Sequence, residues 1–537
     1  MAHPRDEPEV GRAKNEARIP AREPRVDPLG RVPVQLRIGV VGHRWLEDDP
    51  RARNAVRDAV AGIWASCSNL TTENTTVGLT VVSALAEGAD RLVTDVGLTL
   101  GARIETILPV ASADYEQDFA SDASRFQFRA LLAAAHVTIV GPQDGREEAY
   151  LEAGKLVVDR SDVLLAIWDG KGARGTGGTA EIIEYADACA TPVRWLEAQR
   201  ESGIVGPRQR PGHQDPETIG PLTQRAFHAL DFFNSRTVEF DSVATPSIAP
   251  TAASLPLDSY FARADQVAGR YQTRLLRSSR AIYVLAVVAV ATVATQLVFQ
   301  LKLEWLPWIE VIALAAITVV LVLGRWRGLL RRWLSARQFA EQLRITAVLY
   351  SVGSPSPPAW GHVFEDDDWV DRSVEELWTW TDGREPAPPL PELKKILIEG
   401  WLAGQISYHE RTRARAMGRQ RVAVPVTLSL FCLSLLAAVL HALDSFGASV
   451  GHTWSLISIV APTAAAAVSG YVGQREYVRR ARRSRQAAAT LTRAQREVAD
   501  AADFGELRRI LDRLLPELAS EAQDWSTTTT IHDLDVP

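Results

Sequence analysis

Residues 281–301 read AIYVLAVVAVATVATQLVFQL, twenty-one positions without one charge. As a helix this stretch rises about 31 Å, the thickness of one hydrocarbon core. Leu306–Gly324 follows after four residues and carries only Glu310, close to its start. Val422–Leu443 and Trp454–Val472 are free of Asp, Glu, Lys and Arg. Runs this long exceed what buried helices of a water-soluble core need, so the pattern predicts four transmembrane helices in two hairpins.

The flanks of these runs set an orientation. Arg263, Arg270, Arg274, Arg277 and Arg280 precede the first, and Arg325, Arg327, Arg331, Arg332 and Arg337 follow the second. Arg411, Arg413, Arg415, Arg419 and Arg421 precede the third, while six arginines between Arg475 and Arg485 follow the fourth. The loops inside the hairpins hold one basic residue, Lys302. The positive-inside rule then places both termini and the 325–421 segment in the cytoplasm of a multi-pass protein of the inner (plasma) membrane.

Averages hide this arrangement. The 537 residues are 46% hydrophobic and 23% charged, with mean hydropathy −0.05. A net charge of −6 argues against a nucleic-acid partner, and three cysteines cannot build a disulfide framework. Residues 1–34, rich in charge and proline, read as a disordered tail without a signal-peptide core, leaving insertion to the first span.

Between Val34 and Glu197, apolar runs such as Leu36–Val41, Leu79–Ser83 and Asp162–Trp168 alternate with amphipathic stretches. Strands apolar on both faces, separated by helices, predict a doubly wound, mostly parallel α/β domain over 35–200. Residues 201–257 read as a linker with a short helical insert. Two-span modules are expected at 258–350 and 393–525, separated by an insert at 351–392 and followed by a tail at 526–537. The insert's Glu365–Glu392 stretch sets ten acidic residues against Arg372 and Arg384, a composition suited to a solvated, mobile segment or to docking on an arginine collar. Apolar stripes on Trp333–Tyr350 and Leu393–Ser407 call for partner helices.

The hairpins carry hints of duplication. An offset of 148 aligns Arg331, Arg332, Arg337, Gln338, Ala340 and Leu343 with Arg479, Arg480, Arg485, Gln486, Ala488 and Leu491. Within the spans, Ala461, Ala465 and Ser469 form a small-residue stripe, and Pro425 and Pro462 are candidate kinks. Gln296, Gln300 and Glu310 either line an aqueous mouth or reach the headgroups.

Three clusters fall at predicted carboxyl ends of strands, where open α/β sheets bind ligands. Gly42, His43 and Arg44 end the first strand; glycine admits a ligand to the backbone and arginine forks onto phosphate. Ser83, Glu87, Gly88 and Asp90 follow the second, able to meet a ribose or base edge, with Asp90 also a candidate cap. Asp169 and the glycine loop with Gly175, Gly177, Gly178, Thr179 and Glu181 lie between a late strand and a helix, a setting for phosphate. No Gly-Lys-Ser/Thr closes that loop, so it is not a Walker A motif. Gly175-x-Gly177-x-x-Ala180 with Glu197 matches a loose dinucleotide fingerprint.

Val40–Arg44, Ser83–Asp90 and Asp162–Gly170 followed by Gly177–Ala180 resemble the SLOG superfamily, Rossmann-like domains related to DprA and LOG proteins. The resemblance implies binding of a nucleotide or an NAD-/ADP-ribose-like ligand, without a metal. In the enzymatic LOG branch the loop's glutamate follows its threonine by three residues; here Glu181 follows Thr179 by two. Ala264, Asp265, Ala268 and Tyr271, the Trp333–Arg344 stretch and Trp401–Tyr408 resemble SLATT domains, two-span effectors of prokaryotic conflict systems. That implies a homo-oligomer that opens a pore in the lipid bilayer when the sensor domain is liganded. The alternative is a membrane-anchored nucleotide-processing hydrolase, with Glu181 or Glu87 as base or nucleophile.

Overall fold

In the computed structural model, β5 (Val163–Trp168) is an interior strand of a seven-stranded sheet, with its first five residues fully covered. The structure describes residues 27–67, 69–141, 145–172, 177–209, 219–238, 257–354, 368–380, 388–443, 448–515 and 517–518. These fall into two units, one over 32–235 and the other over 27–31 with 236 onward.

In the first unit, β1 (Val34–Gly42), α1 (Pro50–Cys67), β2 (Val77–Ser83), α2 (Ala89–Thr99) and β3 (Arg103–Leu108) come first. The single turn α3 (Ser112–Tyr115), α4 (Asp122–Ala133), β4 (Ala135–Ile139) and α5 (Arg146–Asp159) lead into β5, which is followed by α6 (Thr179–Ala188) and β6 (Val193–Gln199). The order across the sheet is β4-β3-β2-β1-β5-β6-β7, parallel except at β7 (Gly203–Arg208). Helices on both faces explain why Leu36, Ile38, Leu79, Val81 and the β5 side chains are all buried. The domain is α/β and doubly wound. The strand order reverses between β1 and β5, which opens a crevice at their carboxyl ends.

The unit runs beyond Glu197. β7 pairs antiparallel with β6, and α7 (Pro221–Asn234) buries Ala226, Phe227, Leu230 and Phe233. The stretch expected to be a linker with a short helical insert does supply that helix, packed into the α/β unit, and adds an edge strand beyond that expectation. Pro207 lacks an N–H for a ladder and suits the sheet edge where it sits. Two polar side chains pin α7. Asp231 accepts from the Thr72 amide, the Thr72 hydroxyl and the Thr75 hydroxyl, at 3.0, 3.0 and 2.7 Å. Asn234 accepts from the Val32 amide at 3.0 Å and donates to the Val32 carbonyl and the Thr75 hydroxyl.

The helical unit starts with the strap Asp27–Arg31, laid on α8 (Asp258–Phe299). Gly30 adopts φ +61°, and a Cβ there would fall 2.1 Å from the Ser259 carbonyl. Arg263, expected in a solvated collar, is buried instead. Its Nε donates to the Leu29 carbonyl and its Nη1 to the Arg236 carbonyl, at 2.7 and 2.8 Å. Burial lowers its pKa to about 10.

α9 (Leu306–Trp326) returns beside α8, and α10 (Leu329–Ser351) folds back on the stem of α8 outside the apolar run. α11 (Asp368–Trp380) follows, then one continuous helix, Leu390–Ala442, made of α12 (Leu390–Lys395), a π-helical stretch (Ile396–Leu402) and α13 (Ala403–Ala442). α14 (Ala448–Arg475) returns beside α13, and α15 (Tyr477–Asp500) folds back on α13's stem. Among the described residues four helices are thus long and apolar enough to cross a membrane, and two of them, α13 and α14, run on through Pro425 and Pro462 without interruption.

The 148-residue offset reappears in this backbone. Gly328 and Glu476 join a span to its return helix, both left-handed, at φ +54° and +45°. The buried positions 481, 484, 487, 491, 494 and 498 of α15 each lie 148 beyond buried positions of α10, Trp333 through Tyr350. The two modules meet where α8 and α14 pack antiparallel. Tyr283 lies edge-on to Tyr471, the Arg280 Nε donates to the Tyr471 hydroxyl at 2.9 Å, and Phe299 meets His452 at the other end.

Several expectations differ in detail. Asp368–Trp380 of the acidic insert is no solvated segment: α11 buries Trp369, Val370, Val374, Leu377 and Trp378, with Trp378 in one core with Leu397, Trp401 and Leu511. Asp371 and Glu375 are half-buried and Glu376 is buried with the apolar side chains; the insert's acids from Glu365 to Asp367 lie outside the described residues. Gln300 leaves the helix in a left-handed conformation, φ +51°, so it shares no helical face with Gln296. Ser469 is exposed while Ala461 and Ala465 are buried, and Gly470 is the small residue against Tyr283. The expected tail at 526–537 and residues 1–26 of the tail expected at 1–34 lie outside the described residues, whereas Asp27–Arg31 form the strap on α8 and Val32 and Val34 are buried where β1 begins.

Replacing Asn234 with Leu strands both polar groups of Val32 and removes one of the two hydrogen bonds of the Thr75 hydroxyl, which keeps Asp231. Thermal unfolding of the detergent-solubilised protein should show a loss of about 2–3 kcal/mol for the α/β transition. An unchanged midpoint would mean that α7 is not part of that cooperative unit.

Candidate functional site

β1 and β5 end side by side, with Gly42 in register with Ile167. The His43 amide donates to the Ile167 carbonyl at 3.2 Å, carrying the pairing one residue past the strand. Across this crevice His43 Nε2 faces Asp169 twice: the Asp169 amide donates to it at 3.1 Å, and Asp169 Oδ1 lies at 3.2 Å. One ring nitrogen can serve only one of these at a time. Without a hydrogen that nitrogen accepts from the amide; carrying one, it donates to the carboxylate. Trp45 stacks on the ring, centroids 5.0 Å apart.

Two glycines make this approach geometrically possible. A Cβ on Gly42 would lie 2.5 Å from Ala89 Cβ and 2.7 Å from the Ile167 carbonyl. At Gly88, φ +80°, it would lie 2.4 Å from the His43 carbonyl. The Ala89 amide donates to that same carbonyl, so the start of α2 is bolted to the end of β1. Gly88 is thus committed to packing.

Asp90 lies beneath this junction and is not the cap of α2. Its Oδ2 accepts from the Ser83 hydroxyl at 3.2 Å, and the Ala86 and Ala84 amides also donate to it. Burial pushes its pKa up to about 6, against those hydrogen bonds and nearby Arg44, which act to lower it. Glu87 accepts from the Ser124 hydroxyl, and Arg91 Nη1 donates to that hydroxyl at 2.7 Å and to the Ser124 carbonyl at 3.0 Å. Arg91 is buried over the Phe119 ring, and burial lowers its pKa. Arg91 Nη2 and the Tyr115 hydroxyl are buried without a hydrogen-bond partner.

The third cluster opens α6. Gly177 (φ +74°) passes close to Tyr150 and Leu151, and Arg44 sits over the Tyr150 ring at 5.5 Å. Tyr150 therefore connects the exposed arginine with the glycine loop. Gly178 is the N-cap residue and Thr179 the first helical residue. Glu181 turns back to accept from the Gly177 amide at 2.7 Å, so a carboxylate of the chain itself occupies this helix N-terminus. Gly175 lies outside the described residues.

His43, Asp169, Arg44 and the Gly177–Glu181 turn therefore share the β1/β5 crevice and its rim. Ser83 and Asp90 support it from below, and Glu87 is drawn off toward α4. Glu197, the acid of the loose dinucleotide pattern, is held by Arg208 at 2.6 Å on the β6–β7 pair. Arg91, Tyr115, Ser124 and Tyr150 went unnoticed in the sequence. Arg91 alone had a local signal, directly after Asp90. Among the described residues no group of three His, Cys, Asp or Glu side chains is arranged to hold a metal ion.

Residues 259–375 match a family model described as SMODS and SLOG-associating 2TM effector domain 3. The match runs from α8 through α10 into α11 and places a two-span effector module in the helical unit. Among solved structures, the chain is similar to DNA processing protein A (DprA) from Streptococcus pneumoniae, with 14% identity and a TM-score of 0.23. That likeness covers 33% of this chain and 54% of the other, about half its length. No curated protein matches the chain.

Two substitutions probe the site. Glu181→Gln keeps an oxygen for the Gly177 amide but removes its charge, and should tighten binding of a phosphate-bearing nucleotide about three- to tenfold by calorimetry. Weakened binding would instead make the Glu181 carboxylate a ligand contact. Asp90 has a folded-state pKa above its unfolded one, so its stabilising contribution is full below pH about 4 and is lost as pH rises through 6. Asp90→Asn should flatten the fall in melting temperature between pH 4 and 6; an unaltered slope would count against the buried carboxyl as its source.

Proposed function

We propose that this multi-pass membrane protein is a sensor-effector of a prokaryotic conflict system. The α/β unit, on the cytoplasmic side of the plasma membrane, binds a nucleotide or an NAD-/ADP-ribose-like molecule, and the helical unit responds by assembling and opening the bilayer. The observation that carries the sensor half is the meeting of His43 with Asp169 at the strand-order switch, with Arg44 and the Gly177–Thr179 turn on its rim. In open α/β sheets that crevice takes the ligand, and a helix N-terminus beside an arginine suits phosphate. The two-span effector match supports the membrane half.

The hydrolase alternative needs a carboxylate free to act as base. Glu181 is engaged by the Gly177 amide and Glu87 by Ser124, which favours binding over turnover. For a ligand to drive the membrane unit, it must bind the assembled state more tightly than the resting one. Displacement of Glu181 from Gly177 by a ligand phosphate gives such a difference a local origin.

The full-length protein in dye-loaded liposomes should leak when ATP, ADP, NAD+, ADP-ribose or a cyclic dinucleotide that it binds is added. Arg44→Glu and Gly178→Arg should abolish that response while leaving helicity and insertion intact. Leakage unchanged in both variants would sink the assigned site. Product formation from the nucleotide by the unsubstituted protein would favour the hydrolase.

A further inference from the structure

We propose that α9 of one copy packs against α13 of a second copy, repeating between chains the contact that α14 and α8 make within one. The inference rests on the assembly half of the proposed function and gives it a geometry.

Each chain holds the same membrane module twice: an outgoing span continuous with a long stem, a returning span, and a helix folded back on the stem. The modules do not meet through equivalent surfaces. The returning span of the second, α14, packs on the outgoing span of the first, α8, through Tyr471 and Gly470 on one side and Tyr283 and Arg280 on the other. Such a contact is head-to-tail. It uses one edge of each module and leaves the complementary edges at the two ends of a row, α9–α8–α14–α13.

Among the described residues, α9 packs substantially only on α8 and α10, and α13 on α14, α15 and the π-helical stretch that continues it. Ile312, Ala315 and Val319 of α9 and Leu428, Cys432 and Leu435 of α13 face outward. α9 is a returning span and α13 an outgoing one, so they bear the same relation, and the same antiparallel sense, as α14 and α8. Repeating a head-to-tail contact from chain to chain closes a ring when its rotation permits and otherwise extends an open row. In lipid, burying apolar side chains brings little gain over leaving them in acyl chains. What favours a second copy at these edges is the existing α14–α8 contact, which already joins two such modules in the bilayer.

Cys432, near the middle of the uncharged run Val422–Leu443 of α13, provides the probe. Full-length protein with Cys189→Ser, the buried Cys67 unchanged and Ala315→Cys in mid-α9 is reconstituted in liposomes and oxidised with copper phenanthroline. The expected product is a ladder of covalent multimers climbing past the dimer. It should vanish with Cys432→Ser and stop at the dimer when chains carrying only one of the two cysteines are mixed. A dimer formed through Cys432 alone would mean that α13 faces α13, which overturns the head-to-tail order. A fast-migrating oxidised monomer would mean that α9 closes on α13 within one chain, and also overturns it. Absence of a ladder while native mass measurement shows oligomers would overturn these edges but leave the proposed assembly standing. A monomer under every lipid and nucleotide condition would remove both.

Discussion

A backbone crossing lipid must satisfy its own hydrogen bonds, and that constraint organises the helical half of this protein. Each span has to be helix from end to end, and the helices do not stop where the apolar run stops. α8 extends over 42 residues, about twice what a bilayer requires, and Leu390–Ala442 over 53. The surplus forms stems outside the apolar runs, and the stems build a core that water can drive. There Trp378, Leu397, Trp401, Leu491 and Leu511 pack together from four helical segments. The hairpins alone offer little internal packing; the stems hold them in one arrangement. Charge reinforces the stems at Glu341, flanked by Arg337 and by Arg344 at 2.7 Å. Burial works against its carboxylate, but the two guanidiniums win and keep its pKa below the usual range.

In the α/β unit the economy is one of close approach. Gly42 and Gly88 were candidate ligand contacts because glycine lets a ligand reach the backbone. Their room is taken by other parts of the protein, the Ile167 and His43 carbonyls and Ala89. What remains for a ligand is the crevice these contacts frame, where His43, Asp169 and the start of α6 converge. Glu181 already neutralises that helix start. If the proposed function holds, an incoming anion would meet a site whose electrostatic gain is partly spent and would bind at the net difference between its own contacts and those of Glu181. Such an arrangement would favour selectivity over raw affinity, with a larger ligand adding contacts along the crevice toward Arg44 and Tyr150.

Local pattern carried much of this into the sequence. Continuous apolar runs marked β1, β2 and β5, and uncharged stretches marked the spans, because burial on both faces and immersion in lipid each impose composition residue by residue. Where the environment is made by distant partners, the signal was weak. β7 reads Gly-Ile-Val-Gly-Pro-Arg, a turn-like composition tolerated because it lies on an edge. α11 hid behind its acids, although Val370, Val374 and Trp378 recur at helical spacing. Arg91 and Ser124 meet across 33 residues, and Arg263 reaches Leu29 across 234. No local spacing encodes such pairings. The candidate site was legible as three loops at strand ends, but which loop held which was not, since hydrogen bonds between loops depend on the strand order.

The duplicated module shows how far sequence can drift under a fixed backbone. α10 presents Trp333, Phe339, Leu343 and Tyr350 at positions where α15 presents Ala481, Ala487, Leu491 and Val498. The return helix has lost much of its side-chain volume while keeping its inward stripe. The two helices also differ in company: α10 is covered by α11 on a second side and is buried over nearly its whole last half, whereas α15 keeps a single buried stripe. The junctions diverged too. Gly328 takes its left-handed turn without steric cost, while Glu476 takes the same turn at a cost of about 1 kcal/mol. Its ion pair with Arg479 at 2.7 Å offsets part of that cost. With different volumes packed on their stems, neither module can stand in for the other, and that asymmetry gives the chain two distinguishable ends.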